Sequence, residues 1–401
     1  MASCKHSKSA HVFHSKEYYP SRAQISRAAF CHNLARAREY AGDAEVMAVV
    51  KADAYGHGAE EIARWAQAEG VQWLGIAQLG EAMALRRKIG DGTHILSLMA
   101  EPDAPLSEAL ELNIDLTVSS VELLDRISRA SAECAIAARV HIEVDTGMAR
   151  GGVNIQDFPE FARNLADYEQ SGLIEVIGLW SHLACADEPD SPVTAEQVKL
   201  FEQARSIMSS AGIRPEFVHL AASAGMIWHP HTRYTMVRPG IMLYGLSPNP
   251  QVATAAELDL QPVMRLEASV VSVRDVPKNT GVSYGHTAHT DDAAHLATIP
   301  LGYADGIPRA ASNCAYVQLN DQMCPIIGRV CMDQFVIDAP GARPGDTVTL
   351  FGAENDSPSA DDWGRYAGTI GYEIVTRIGI RVPREYCDDE YCDDGYCNDE
   401  E

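Results

Sequence analysis

The sequence predicts two joined folds: an α/β unit, read as a TIM-type (β/α)₈ barrel, then a mostly antiparallel β domain. Three observations carry this. Between residues 46 and 237, apolar runs alternate with amphipathic stretches, the pattern of parallel strands joined by crossover helices. There are eight such runs, the number that closes a barrel. Beyond Leu246 helical periodicity gives way to short strand-like runs set off by turn residues. An open doubly wound sheet is the alternative for the first part, but no glycine-rich dinucleotide fingerprint follows its first strand.

Residues 1–19 are polar and rich in His, Ser and Lys. They read as a flexible extension and, with no apolar centre, not as a secretory signal. Gln24 to Glu39 has near-helical spacing of apolar residues and is expected to be the first helix. The expected barrel strands are Val46–Lys51, Trp73–Ala77, His94–Met99, Asp115–Val118, Val140–Val144, Ile174–Ser181, Phe217–Leu220 and Thr235–Val237. Helical stretches lie between them at Ala59–Glu69, Gly80–Lys88, Pro105–Leu112, Val121–Ala130, Phe158–Glu169 and Thr194–Ala211. The barrel is assigned to residues 20–248, ending in the turn-rich Ser247-Pro248-Asn249-Pro250. The β domain, residues 249–385, has expected strands at Val263–Val273, Ala294–Pro300, Tyr316–Leu319, Met323–Arg329, Gln334–Ile337 and Thr347–Phe351. One helix, Trp363–Arg377, follows. Residues 386–401 repeat acidic residues around Cys387, Cys392 and Cys397 and read as a disordered tail.

A chain of 401 residues is long enough for two domains. Its 46% hydrophobic and 22% charged residues are those of a soluble globular protein. A net charge of −24 argues against nucleic-acid binding. No apolar run approaches the roughly 20 residues that span a bilayer, so no membrane partner is expected and the expected address is the cytoplasm. Cys31, Cys134, Cys185, Cys314, Cys324 and Cys331 follow no metal-ligand spacing and are expected to be free thiols; the tail thiols and carboxylates could hold a soft metal, but their five-residue spacing fits no standard zinc site, so no metal is expected.

Chemistry is concentrated in Val46-Met47-Ala48-Val49-Val50-Lys51-Ala52-Asp53-Ala54-Tyr55-Gly56-His57-Gly58. The run does not alternate, as in a strand buried on both faces, and it ends in a lysine followed by a Gly-rich turn. A lysine in an apolar pocket loses solvation, its pKa falls, and the neutral amine becomes a nucleophile for carbonyls. On spacing alone Lys51 is either that nucleophile or a surface residue capping a strand.

The whole stretch resembles the pyridoxal-phosphate lysine motif of the alanine racemase family, and further motifs extend the resemblance from about Phe30 to Tyr386. It implies the same barrel-plus-β-domain architecture. It also implies that Lys51 carries pyridoxal 5'-phosphate covalently and that Tyr55 contacts the phosphate. Glu143-Val144-Asp145-Thr146-Gly147-Met148-Ala149-Arg150 resembles the family's D-T-G-M-x-R, implying Arg150 as the arginine that holds the substrate carboxylate. A planar guanidinium matches a carboxylate. Family members often carry a carbamylated lysine where this chain has Glu143, and a glutamate could supply that charge unmodified. His182 matches the histidine lying against the cofactor ring. Ser223 and the backbone N–H groups of Gly240 and Ile241 suit the phosphate, which barrels bind after their last two strands.

Arg238 matches the arginine facing the pyridine nitrogen. It cannot surrender its proton, so the ring nitrogen stays unprotonated and the ring is a weaker electron sink. That favours return of a proton to Cα over transamination, and a racemase over a decarboxylase of similar architecture. Val282-Ser283-Tyr284-Gly285-His286-Thr287 resembles the motif of the family's catalytic tyrosine. Lys51 and Tyr284 would serve opposite faces of Cα, with nearby cations such as His182 or the arginines lowering the pKa of the phenol. In the family this tyrosine comes from the other subunit, which implies a head-to-tail homodimer with shared active sites. Gly328-Arg329-Val330-Cys331-Met332-Asp333-Gln334 implies Met332 at the substrate, and Thr369-Ile370-Gly371-Tyr372-Glu373 implies Tyr372 as a phosphate contact that narrows the site. Gly302-Tyr303-Ala304-Asp305-Gly306 reads as structural or as lining the entrance. Ala222 and Ala288 depart from the family, which usually has Asn and an aromatic there.

The expected activity is interconversion of L- and D-alanine, supplying D-alanine for cell-wall peptidoglycan. The alternatives are a racemase of another small amino acid such as serine, against which Tyr372 argues, and a pyridoxal-phosphate-binding homeostasis protein without turnover.

Overall fold

The computed structural model describes residues 19–101, 103–352 and 357–388. The expected N-terminal extension, apart from Tyr19, and residues 389–401 of the acidic tail lie outside the described residues. The chain divides into two compact units. One spans 26–263, and the other combines 264–387 with the N-terminal strand through Ile25.

The first strand, β1 (Ser21–Ser26), belongs to the β unit and pairs antiparallel with residues 264–268. The expected helix over Gln24–Glu39 in fact spans Arg27–Ala41, because Ser26 is its N-cap and the Ser26 hydroxyl accepts from the Ala29 N–H at 3.1 Å. Residues ahead of that cap are free to extend.

The barrel strands are β2 (Glu45–Val49), β3 (Trp73–Ile76), β4 (His94–Ser97), β5 (Ile114–Val118) and β6 (Ala138–Asp145). After the two-residue β7 (Val153–Asn154) come β8 (Ile174–Trp180), β9 (Phe217–Ala222) and β10 (Met236–Arg238). All pairings are parallel. The β10–β2 pairing closes the ring of eight, so the (β/α)₈ expectation holds. Inside it Met47, Trp73, Leu96, Ile177 and Met236 form one buried apolar cluster. Truncating a side chain such as Met47 to alanine there costs about 2–5 kcal/mol. The linker stretch after Leu246 stays with the barrel unit, because Asn249 donates to the Asp187 carbonyl (2.9 Å) and the Gln261 N–H to the Asn33 side chain (2.8 Å).

The β unit is mostly antiparallel, as expected. Its strands are β11 (Met264–Ser269), β12 (Ser272–Val276), β13 (Gly281–Val282), β14 (Ala288–His289), β15 (Ala294–Ile299), β16 (Tyr316–Leu319), β17 (Gln322–Pro325), β18 (Phe335–Asp338), β19 (Thr347–Phe351) and β20 (Arg384–Cys387). A six-stranded sheet runs β17-β16-β19-β11-β1-β20, and a second runs β12-β15-β18. The expected strand Val263–Val273 is two strands that leave for different sheets. The expected strand Met323–Arg329 stops at Pro325, before Gly328 takes φ +80°. The expected helix Trp363–Arg377 is two, Ala360–Ala367 and Gly371–Thr376, because Gly368 turns left-handed and caps the first. Tyr386 and Cys387, expected in the tail, end β20, where Cys387 is buried.

Among the described residues every cysteine is free, no helix is long and apolar enough to cross a membrane, and no group of His, Cys, Asp or Glu is arranged to hold a metal ion.

Candidate active site

Lys51 follows β2 directly, and the Val50 N–H still bonds the Gly75 carbonyl of β3 at 3.0 Å. The chain then does something its composition does not announce. Ala52, Asp53, Ala54 and Tyr55 all take φ near +53°, one left-handed turn without a glycine. Such a turn costs about 1–2 kcal/mol per residue. Its polar groups are held on several sides. The Ala52 N–H donates to Glu81 Oε1 (3.1 Å), the Ala54 N–H to the Val50 carbonyl (2.9 Å), and Asp53 Oδ1 accepts from the Ala59 N–H (2.8 Å). Lys51 is half-buried, and burial, then the Arg150 and Arg238 guanidiniums, lower its pKa against an opposing pull from Glu81.

Tyr55 is buried and packs against Tyr244 with the rings tilted by 31° and 4.7 Å between centroids, while the Tyr244 hydroxyl donates to the Val49 carbonyl (2.9 Å). The Tyr55 hydroxyl rests against Gly240, where any Cβ would lie 2.4 Å from it. The Gly240 N–H donates to Ser223 Oγ at 3.0 Å. Two hydroxyls and the backbone entering the Ile241–Tyr244 turn therefore meet at the ends of β9 and β10.

Arg238, only 3% exposed, occupies the barrel interior. Its NH1 donates to His219 Nδ1 (3.1 Å) and the His219 carbonyl (2.9 Å). Its NH2 donates to the Ser181 carbonyl (2.8 Å), to His182 Nδ1 (3.2 Å) and to the Leu220 carbonyl (3.3 Å). Burial brings its pKa down to about 10, still a cation at neutral pH. Burial and the neighbouring Arg238, Arg150 and Lys51 push His182 down to about 3. His182 is therefore neutral and is not one of the cations named from the sequence.

Glu143 is buried in β6. Its carboxylate lies under the Arg150–Gly151 backbone, where a Cβ on Gly151 would come within 3.0 Å of it. Asp145 Oδ1 shapes the same loop by accepting from the N–H groups of Gly147 (2.9 Å) and Ala149 (3.1 Å). Burial raises the Glu143 pKa to about 7 against the opposing pull of Arg150 and Arg238. Arg150 itself is exposed.

In the β unit, Ser283 Oγ donates to the Arg329 carbonyl (2.7 Å), and a Cβ on Gly328 would meet the Val282 carbonyl at 2.7 Å. The loops of Tyr284 and Met332 are thus clasped together. Both residues are open to solvent, Tyr284 at 71% and Met332 at 52%. Gly302 packs on the Cys331–Met332 backbone, and Asp305 accepts from its N–H (2.8 Å), so the Gly302–Gly306 motif supports the Met332 loop. Tyr372 lies on the short helix Gly371–Thr376 and is half-buried.

Several contributors escaped the sequence reading. Gln197, buried on the helix Val193–Ser210, donates to Thr146 Oγ1 (3.1 Å) and the His182 carbonyl (2.9 Å) and accepts from the Ala184 N–H (2.8 Å). It joins the ends of β6 and β8. Glu81, Ser181 and His219 were also given no role. Only His219, a histidine inside an apolar strand, carried a visible signal.

A closed parallel barrel with a desolvated lysine, a hydroxyl-lined glycine cradle and buried arginine at its strand ends, followed by a β domain, defines a class of barrel enzymes. Residues 25–248 match the N-terminal domain and residues 263–386 the C-terminal domain of alanine racemases. An alanine racemase of Beutenbergia cavernae is 49% identical over 370 residues, covering 91% of this chain and 97% of its own. One of Thermobifida fusca is 45% identical over 367 residues, covering 91% and 97%. The solved alanine racemase of Streptomyces coelicolor A3(2) superposes with a TM-score of 0.90 at 44% identity, covering 92% of this chain and 98% of its own. The chain belongs to the alanine racemase family. It is an isomerase that interconverts the enantiomers of alanine.

Proposed function

We propose that racemisation here uses pyridoxal 5'-phosphate and two bases, Lys51 and Tyr284. Arg238 is the observation that carries this reading. It is a buried cation at the barrel mouth, held through its NH1 and NH2 groups and able to keep a facing ring nitrogen unprotonated. The cradle also fits the cofactor: Tyr55 and Ser223 present hydroxyls around Gly240, where a side chain would not fit. They would hold the phosphate with the backbone of Gly240 and Ile241 and with Tyr372, while His182 would lie against the ring. When bound, pyridoxal phosphate acidifies the Cα–H of the amino acid joined to it.

Lys51, desolvated and flanked by guanidiniums, holds the cofactor and moves a proton at one face of Cα. The Tyr284 phenol moves the proton at the other. Arg150 holds the substrate carboxylate, oriented by Glu143 in place of a carbamate, and the Met332 N–H borders the substrate. The 71% exposure of Tyr284 supports its donation to a partner in a head-to-tail homodimer with shared sites. Free cysteines suit the reducing cytoplasm, where D-alanine would feed peptidoglycan synthesis.

The test is chiral analysis of purified protein incubated with pyridoxal phosphate and L-alanine, with L-serine in parallel. Approach to an equal mixture of alanine enantiomers, with serine slow, is the expected result. Cofactor absorbance without D-alanine would overturn the two-base assignment.

A further inference from the structure

Beneath the site, the barrel interior holds a row of polar side chains where apolar packing is the norm. Asp115, His141 and His219 are fully buried, and Arg238 is nearly so. Arg238 NH1 lies 3.1 Å from His219 Nδ1, and His219 Nε2 lies 2.9 Å from His141 Nδ1. His141 Nε2 then faces Asp115 Oδ2 at 3.6 Å, too long for a hydrogen bond but close enough for the charge to act on an N–H. Asp115 is fixed in turn by a bidentate pair with Arg139, at 3.0 and 3.1 Å. The slot for His141 is built: a Cβ on Gly178 would lie 2.2 Å from its Nδ1. Trp73 meets the His141 ring edge-on at 5.2 Å, and Trp180 stacks on His219 at 6.1 Å.

This row leaves one arrangement of protons. A guanidinium only donates, so His219 Nδ1 must accept. A neutral His219 then carries its proton on Nε2 and donates it to His141 Nδ1. His141, with Nδ1 accepting, carries its own proton on Nε2, directed at the Asp115 carboxylate. The opposite tautomer of His219 would set N–H against N–H at 3.1 Å and expel the guanidinium. Burial of both rings lowers their pKa values and keeps them neutral.

We infer that His141, anchored by Asp115, is a positioning residue that selects the Nε2–H tautomer of His219 and so holds Arg238 in place. The consequence for catalysis rests on the proposed placement of Arg238 at the cofactor ring; the proton arrangement does not.

The decisive measurement is ¹⁵N NMR of the histidine-labelled holoenzyme near neutral pH, with the two signals assigned by their loss in His141 and His219 variants. Nε2–H tautomers in both rings are expected. An Nδ1–H tautomer or a cation in either ring overturns the inference, whether or not the protein racemises alanine. A protein that binds no pyridoxal phosphate but shows both Nε2–H tautomers would sink the functional reading and leave this one standing. Kinetics add a second arm. His141→Leu removes the acceptor and should lower kcat about tenfold, the scale of outer-shell substitutions, with KM little changed. His141→Gln offers an amide oxygen to the same proton and should restore kcat. Equal losses in the two variants, or none in either, would mean a packing role only and would overturn the inference.

Discussion

Glu143→Gln separates what the buried carboxylate does for stability from what it does for substrate. The Glu143 pKa is about 7 in the folded chain against an ordinary 4.5. The folded state therefore holds this proton more tightly than the unfolded state does. The sign follows: stability from this group is fully present below pH 4.5, is lost as pH rises toward about 7, and does not return above that. At about 1.36 kcal/mol per pH unit, the full loss is ~3 kcal/mol, and the side chain is too buried for solvent to screen much of it. A glutamine is neutral at every pH. The variant should match the wild type in acid and exceed it by up to ~3 kcal/mol above pH 8, read as a higher midpoint in urea unfolding monitored across pH. The same change should weaken the hold of Arg150 on the substrate carboxylate, raising KM for alanine about tenfold, equal to about 1.4 kcal/mol. The ratio of variant to wild-type KM cancels titration of the substrate itself. That ratio should grow as pH rises through 7, where the native carboxylate ionises. A variant no more stable in alkali, or a KM ratio that is flat across pH, would mean that Glu143 does not hold its proton through burial.

Tyr284→Phe should slow deuterium removal from Cα-labelled L-alanine by about 10²–10⁴-fold, while D-alanine still exchanges its Cα proton with solvent through Lys51; equal losses from both enantiomers would contradict the two-base assignment. Gly240→Ala puts a methyl 2.4 Å from the Tyr55 hydroxyl, so absorbance titration of the apoenzyme should show pyridoxal-phosphate affinity reduced about tenfold or more, a lost charge-assisted bond. Gln197→Leu removes three hydrogen bonds, one buried and two part-buried, at the ends of β6 and β8; urea unfolding should show a loss of about 2–3 kcal/mol, and an unchanged midpoint would mean the joint is not structural.

The barrel was legible because its strands are buried on both faces and therefore appear as continuous apolar runs between amphipathic helices. Lys51, Arg150 and Arg238 were picked out by motifs resembling those of the family; the structure puts Lys51 just past β2, Arg238 at the end of β10 and Arg150 in the loop that follows β6. The turn after Lys51 was not. Ala-Asp-Ala-Tyr has no glycine to announce positive φ, and the bonds that hold it come from Glu81 and Ala59. β1 was taken for the start of a helix because its partner, β11, lies far along the chain.

What the sequence determined by itself was local: which segments are strands or helices, and which side chains stand at strand ends. Those properties depend on periodicity and on neighbours a few residues away. The tertiary structure alone decided that His182 is neutral, that Glu143 holds its proton to about pH 7, and that Asp115, His141, His219 and Arg238 share one line of protons. A pKa or a tautomer depends on burial and on charges brought within a few ångströms by remote segments, and that information exists only once the barrel has closed.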